Sequence, residues 1–123
     1  MSICVVGHSN PDTDSVTAAI AFANLLRAQG QDAVACMQSS ADKLNPESKT
    51  VLDRFNMSAP EEITDVAGKE VALVDFSDLA QGPANLDSAE VVAIVDHHKI
   101  GDVTTNNPIL FNAQPVGCTC TVL

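Results

Sequence analysis

The residues able to do chemistry are gathered in three short stretches. GHSNPDTDS holds His8, Asp12 and Asp14. EVALVDF brings Asp75. EVVAIVDHH brings Asp96, His97 and His98. Carboxylates packed as closely as Asp12 and Asp14 repel one another, so something positive should sit among them. Mixed carboxylate and imidazole donors suit Mn²⁺, Fe²⁺, Co²⁺ or Zn²⁺ better than Ca²⁺ or Mg²⁺ alone. This set is also larger than one ion needs. Two ions sharing a carboxylate, roughly 3.5–4 Å apart, would use it and could activate water for phosphoryl transfer.

These residues have plainer readings too. His8 alone reads as a polar loop residue, and Asp12 and Asp14 could cap the helix that follows. Asp75 could serve a turn. His98 could simply face solvent, and so could Lys99. Asn10 and Ser15 read as hydrogen-bonding residues of the loop.

Placing the three stretches together requires a parallel sheet. ICVVG (3–7) is a β-branched run ending in glycine and reads as a buried strand. Residues 14–29 read as a helix, with Val16, Ala19, Ile20, Ala23 and Leu26 on one face and Gly30 as its stop. DAVACM (32–37) is a second strand. A helix starts at Pro46, with proline in its first turn. EVALVDF (70–76) and EVVAIVDHH (90–98) are further strands, and PILFNA is a short fifth one. Strands alternating with helices predict an α/β fold: a mostly parallel sheet with helices on both faces. In such sheets ligands bind beyond the carboxyl ends of the strands, where all three stretches end.

Composition narrows the function classes. The chain has 123 residues, 46% of them hydrophobic, four Phe and neither Trp nor Tyr. That is enough apolar material for one core, built from Ala, Val, Leu and Ile. Sixteen acids against six scattered bases leave a net charge of −10. No basic patch is available for nucleic acid or for an anionic membrane. An anionic substrate would need metal ions to be tolerated here. Cys4, Cys36, Cys118 and Cys120 read as reduced thiols of a cytoplasmic protein, the first two in the core. No signal peptide and no membrane span are expected. PVGCTCTVL starts a helix about one turn before the last residue, which reads as a truncated domain.

GHSNPDTDS, VDF at Asp75, DHHKIGD from Asp96 and the closing NAQPVGCTCTVL together resemble the DHH phosphoesterases. Within that superfamily they resemble the manganese-dependent, family II inorganic pyrophosphatases, N-terminal part only, over residues 2–123. PDTDS separates this group from related phosphodiesterases, which carry glycine-containing versions such as PDGDA. The resemblance implies that His8 and Asp12 bind one Mn²⁺, that Asp14 and His97 bind a second, and that Asp75 bridges both. Co²⁺ and Mg²⁺ are alternative ions. His98 would face the substrate phosphate as proton donor or hydrogen-bond partner, making it both catalytic and substrate-binding. Asp96 would fix the tautomer of a neighbouring imidazole.

The implied substrate is inorganic pyrophosphate, with phosphate as product, and the implied assembly is a homodimer. Phe76-Ser77-Asp78 departs from the HNE more usual in the family. A further metal-binding aspartate and the phosphate-clamping C-terminal domain are not among these residues. The chain therefore reads as a partial DHH domain, 1–123, weak or inactive alone. The rival readings are a non-enzymatic metal-binding or self-associating remnant, and a DHH phosphodiesterase acting on a nucleotide or short oligonucleotide.

Overall fold

A computed structural model describes residues 2–123. Six strands form one sheet: β1 (Ile3–Val6), β2 (Ala33–Met37), β3 (Glu61–Glu62), β4 (Glu70–Val74), β5 (Glu90–Asp96) and β6 (Leu110–Ala113). Their order is β3-β2-β1-β4-β5-β6, and every pairing is parallel. The α-helices are α1 (Thr13–Ala28), α2 (Pro46–Arg54) and α3 (Thr119–Val122). The chain winds outward from β1 in one direction, then crosses to β4 and winds outward in the other. The switch point therefore lies between β1 and β4, the place where open parallel sheets bind ligands.

β1 forms because its four residues, Ile-Cys-Val-Val, are mostly β-branched and are buried on both faces. α1 begins at Asp12, whose carboxylate accepts the Ser15 N–H at 2.9 Å. Asp12 is thus the cap; Asp14, which shared that expectation, sits in the first turn. The helix ends at Gly30, with φ +87°, where the Gln31 N–H returns to the Leu26 carbonyl at 2.9 Å. That bond defines a Schellman stop, which needs a residue free to turn left-handed.

The two faces of the sheet are covered differently. On one face Ile3, Val5, Ala72, Val74, Ala93 and Val95 meet Ala18, Ala19, Phe22, Ala23 and Leu26 of α1. The alanines let the helix approach, and Phe22 fills the remaining space, a burial contributing about 2–3 kcal/mol. α2 stands beside α1, with Leu52 against Val16, Ile20 and Met37. On the other face Cys4, Val6, Val71, Leu73 and Ile94 are covered by Ile63, Val66, Phe76 and Leu86. These come from loops and a 3₁₀ turn at Leu86–Ser88. So the helical cover of the second face is 3₁₀ rather than α.

Two expected strands end early at the edge that matters. β4 stops at Val74, because Asp75 adopts a left-handed φ of +68°. β5 stops at Asp96, whose carboxylate accepts the His97 and His98 N–H groups in a tight turn. β3 was not legible in the sequence: it is two exposed glutamates, too short to show any alternation.

Candidate metal centre

Asp75 is the hub. Its carboxylate is 1% exposed, and its two oxygens face opposite ways. Oδ2 lies 3.1 Å from His8 Nε2, and Oδ1 lies 3.0 Å from His97 Nε2. Beyond His8, Asp12 Oδ1 stands 3.6 Å from the same Nε2. Beyond His97, Asp14 Oδ2 stands 3.5 Å from its Nε2. The loop after β1, the first turn of α1 and the end of β5 thus bring four side chains around the carboxylate that follows β4.

All three histidines present the same nitrogen. His8 Nδ1 donates to the Ser9 carbonyl at 2.7 Å, and His97 Nδ1 to the Val116 carbonyl at 3.0 Å. His98 Nδ1 lies 2.7 Å from Asp96 Oδ1. With Nδ1 occupied as donor, Nε2 is the nitrogen left to face a metal ion or exchange a proton. The imidazole that Asp96 orients is therefore His98. The rings of His97 and His98 sit 4.1 Å apart and tilted by 51°. His98 is the half-exposed one of the pair.

The donor set fits divalent cations. Donors bound at about 2.1 Å to an octahedral ion lie roughly 3 Å from their neighbours. The Nε2–Oδ separations of 3.0–3.6 Å around Asp75 match that spacing. Asp96 also lies among Asp75, His97 and His98. Its Oδ1, however, already accepts three donors, at 2.7, 3.2 and 2.7 Å. Its place is in orienting the two histidines.

The proton affinities are distorted in opposite senses. The hydrogen bond to Asp75 raises His8 to about 9, against some loss from burial. Burial raises Asp75, opposed by His8 and reinforced by the neighbouring Asp14. Burial would raise Asp14 as well, but the Thr119 and Cys120 N–H groups hold it below the usual carboxylate range. His97 is raised: burial works against this, and the Val116 carbonyl, Asp75 and Asp14 outweigh it. Protons are thus drawn to imidazoles wedged between acids, as cations would be.

The C-terminal segment contributes contacts that sequence reasoning missed. The Thr119 N–H donates to Asp14 Oδ2 at 2.8 Å, and the Cys120 N–H to Asp14 Oδ1 at 3.1 Å. The Thr119 hydroxyl donates to Asp75 Oδ1 at 3.1 Å. The only signal in PVGCTCTVL was a small polar residue at a helix start, a position with many ordinary uses. Phe76-Ser77-Asp78 also acquires a physical account. Phe76 is buried in the second-face core, and the Ser77 hydroxyl accepts the Gly101 N–H at 2.7 Å. A side chain at residue 101 would stand 2.5 Å from the Ser77 carbonyl oxygen, so glycine lets the loop after His98 close.

Known proteins are similar to this chain in sequence and in fold. An Archaeoglobus fulgidus protein assigned as a manganese-dependent inorganic pyrophosphatase is 53% identical, over 98% of this chain and 40% of its own length. The manganese-dependent inorganic pyrophosphatase of Methanothrix thermoacetophila is 43% identical, over 99% of this chain and 39% of its own. The crystal structure of a Methanococcus jannaschii protein described as a family II inorganic pyrophosphatase superposes with a TM-score of 0.87 at 43% identity. It covers 99% of this chain and 37% of that one. The chain thus spans about 40% of the length of the curated relatives it matches. The family model for the DHH family, N-terminal domain, matches residues 2–123, and with the parallel sheet and its acid–imidazole edge already described, the chain belongs to the DHH family.

Proposed function

We propose that these residues form the metal-binding half of a manganese-dependent inorganic pyrophosphatase, which hydrolyses pyrophosphate to two phosphates. The observation that carries this is Asp75, a buried carboxylate with an imidazole Nε2 at each oxygen. His8 and Asp12 would hold one Mn²⁺, Asp14 and His97 the other, and Asp75 would serve both. Co²⁺ and Mg²⁺ are alternative occupants. Bound there, the two cations would lower the pKa of water and neutralise phosphate oxygens.

The protein's own groups do the rest. Asp96 pins His98 Nδ1, so Nε2 is the nitrogen left to hold or give a proton at a phosphate oxygen. Beside it opens a hollow of about 360 Å³, lined by His97, His98, Lys99 and Gln114 among others. The chain works in the cytoplasm with no nucleic-acid or membrane partner. Among the described residues no helix is long and apolar enough to cross a membrane. It pairs as a homodimer, a reading supported by β6, an edge strand whose Leu110 and Phe111 are exposed. The cationic grip on phosphate belongs to a second domain, so the 123 residues alone are weak catalysts at best.

The test is phosphate release from pyrophosphate by the 123-residue chain in excess Mn²⁺, beside a His97→Ala control. Release that the control abolishes supports the full reading. Release equal to the control reduces the chain to a metal-binding module. Hydrolysis of a dinucleotide in preference to pyrophosphate moves the assignment to a phosphodiesterase.

A further inference from the structure

Thr119 touches both sides of the candidate centre. It is fully buried. Its N–H holds Asp14 Oδ2 and its hydroxyl holds Asp75 Oδ1, from 105 and 44 residues away in the chain. Oδ1 is the Asp75 oxygen that faces His97; Oδ2 faces His8. The neighbouring contacts point the same way. Val116 accepts from His97, and Cys120 donates to Asp14. Neither His8 nor Asp12 is touched by this segment: their partners are Ser9, Ser15 and Asp75.

The energetics favour a specific role. A β-branched threonine has a stiff χ1, so its hydroxyl is aimed rather than free to search. A carboxylate oxygen carries two acceptor sites. The hydroxyl takes one on Oδ1 and leaves the other facing His97. Without it, the Asp75 carboxylate would lose a fixed partner on the His97 side and keep its contact with His8 on the other. Partners of this kind behind a ligand typically set metal affinity by 10–100-fold.

We propose that Thr119 is a positioning residue for one of the two metal positions, the one built on Asp14 and His97, and leaves the His8–Asp12 position unaffected. This rests on the metal-centre reading above. The experiment is a Mn²⁺ titration of the 123-residue chain, followed by the electron paramagnetic resonance signal of free aqueous Mn²⁺. Wild type is expected to take up two ions. Thr119→Val, nearly the same shape without the hydroxyl, should keep one at wild-type affinity and bind the other roughly 10–100-fold more weakly. Thr119→Ser should restore the second.

Thermal melting without metal checks that the valine variant folds. If it does not, Thr119→Ser and Thr119→Ala, which differ only by the hydroxyl, carry the test. Wild-type binding of both ions by the valine or alanine variant overturns the proposal. So does equal weakening of both ions, and so does a single wild-type ion indifferent to the substitution. A wild type that binds no Mn²⁺ at all overturns the metal-centre reading itself, and this proposal with it.

Discussion

On one side of Asp75, His8 and Asp12 are held by contacts inside a single loop: the Ser9 carbonyl for one, the Ser15 N–H for the other. On the other side, Asp14 and His97 are held by Val116, Thr119 and Cys120, which reach them from 19 to 106 residues away. The first side has its side-chain partners within the turn into α1, apart from Asp75, while the Gln81 carbonyl and the Gln38 amide hold the Ser9 and Gly7 backbone beside it. The second exists only after the sheet has closed and α3 has docked. Donors of the same chemical kind therefore depend on the fold to different degrees. Local contacts involve little loop-closure entropy, whereas the distant ones must be maintained by the packed core.

Substitutions should separate the two sides of Asp75 experimentally. The largest effect should follow Asp75→Asn, which weakens the shared carboxylate and erases the difference between the sides. Uptake of both Mn²⁺ ions should fall by at least the ~100-fold seen when strong supporting partners are lost; isothermal titration calorimetry would show it. Retention of one tight ion would mean that the sides do not share Asp75. Thr119→Val comes next, with its one-sided loss.

Asp14→Asn should separate the sides in stability as well as in metal binding. It replaces a charged acceptor of two backbone N–H groups. Hydrogen bonds to charged groups contribute about 1.5–3 kcal/mol each, and asparagine keeps one acceptor oxygen, so a loss of roughly 1.5 kcal/mol in metal-free urea unfolding is expected. Asp12→Asn is the smallest change. Asparagine caps helices as well as aspartate does, so metal-free stability should move by less than about 0.5 kcal/mol. Uptake of one Mn²⁺ should still fall, because an anionic donor is gone. Equal stability losses at positions 12 and 14 would mean that the two sides depend on the fold to the same degree.

The outer architecture was readable from short-range patterns. Apolar runs bounded by glycine and charge marked β1, β2, β4 and β5. The spacing of Val16, Ile20, Ala23 and Leu26 marked α1, and Pro46 marked α2. The ends of β4 and β5 were placed two residues too late. Nothing local announces that Asp75 turns left-handed; the three donors to Asp96, by contrast, lie only one or two residues on. The 3₁₀ cover of the second face was also hidden, since Ile63, Val66 and Leu86 lie in segments with no regular period. Residue type was enough to nominate His8, Asp12, Asp14, Asp75, Asp96, His97 and His98, and the edge of the sheet does bring them together.

Residue order alone fixes the inventory and its edge: which acids and imidazoles exist, and that each lies at the end of a strand or the start of a helix. A parallel sheet then has to deliver them to one side, because side chains beyond the strand ends share that edge whatever the exact register. Tertiary structure alone decided how they are partnered. It gave one Asp75 oxygen to His8 and the other to His97, and set Thr119 between Asp14 and Asp75. The physical reason is reach: a hydrogen bond acts over about 3 Å, and groups 44 to 106 residues apart come within that distance only through the packing of everything between them.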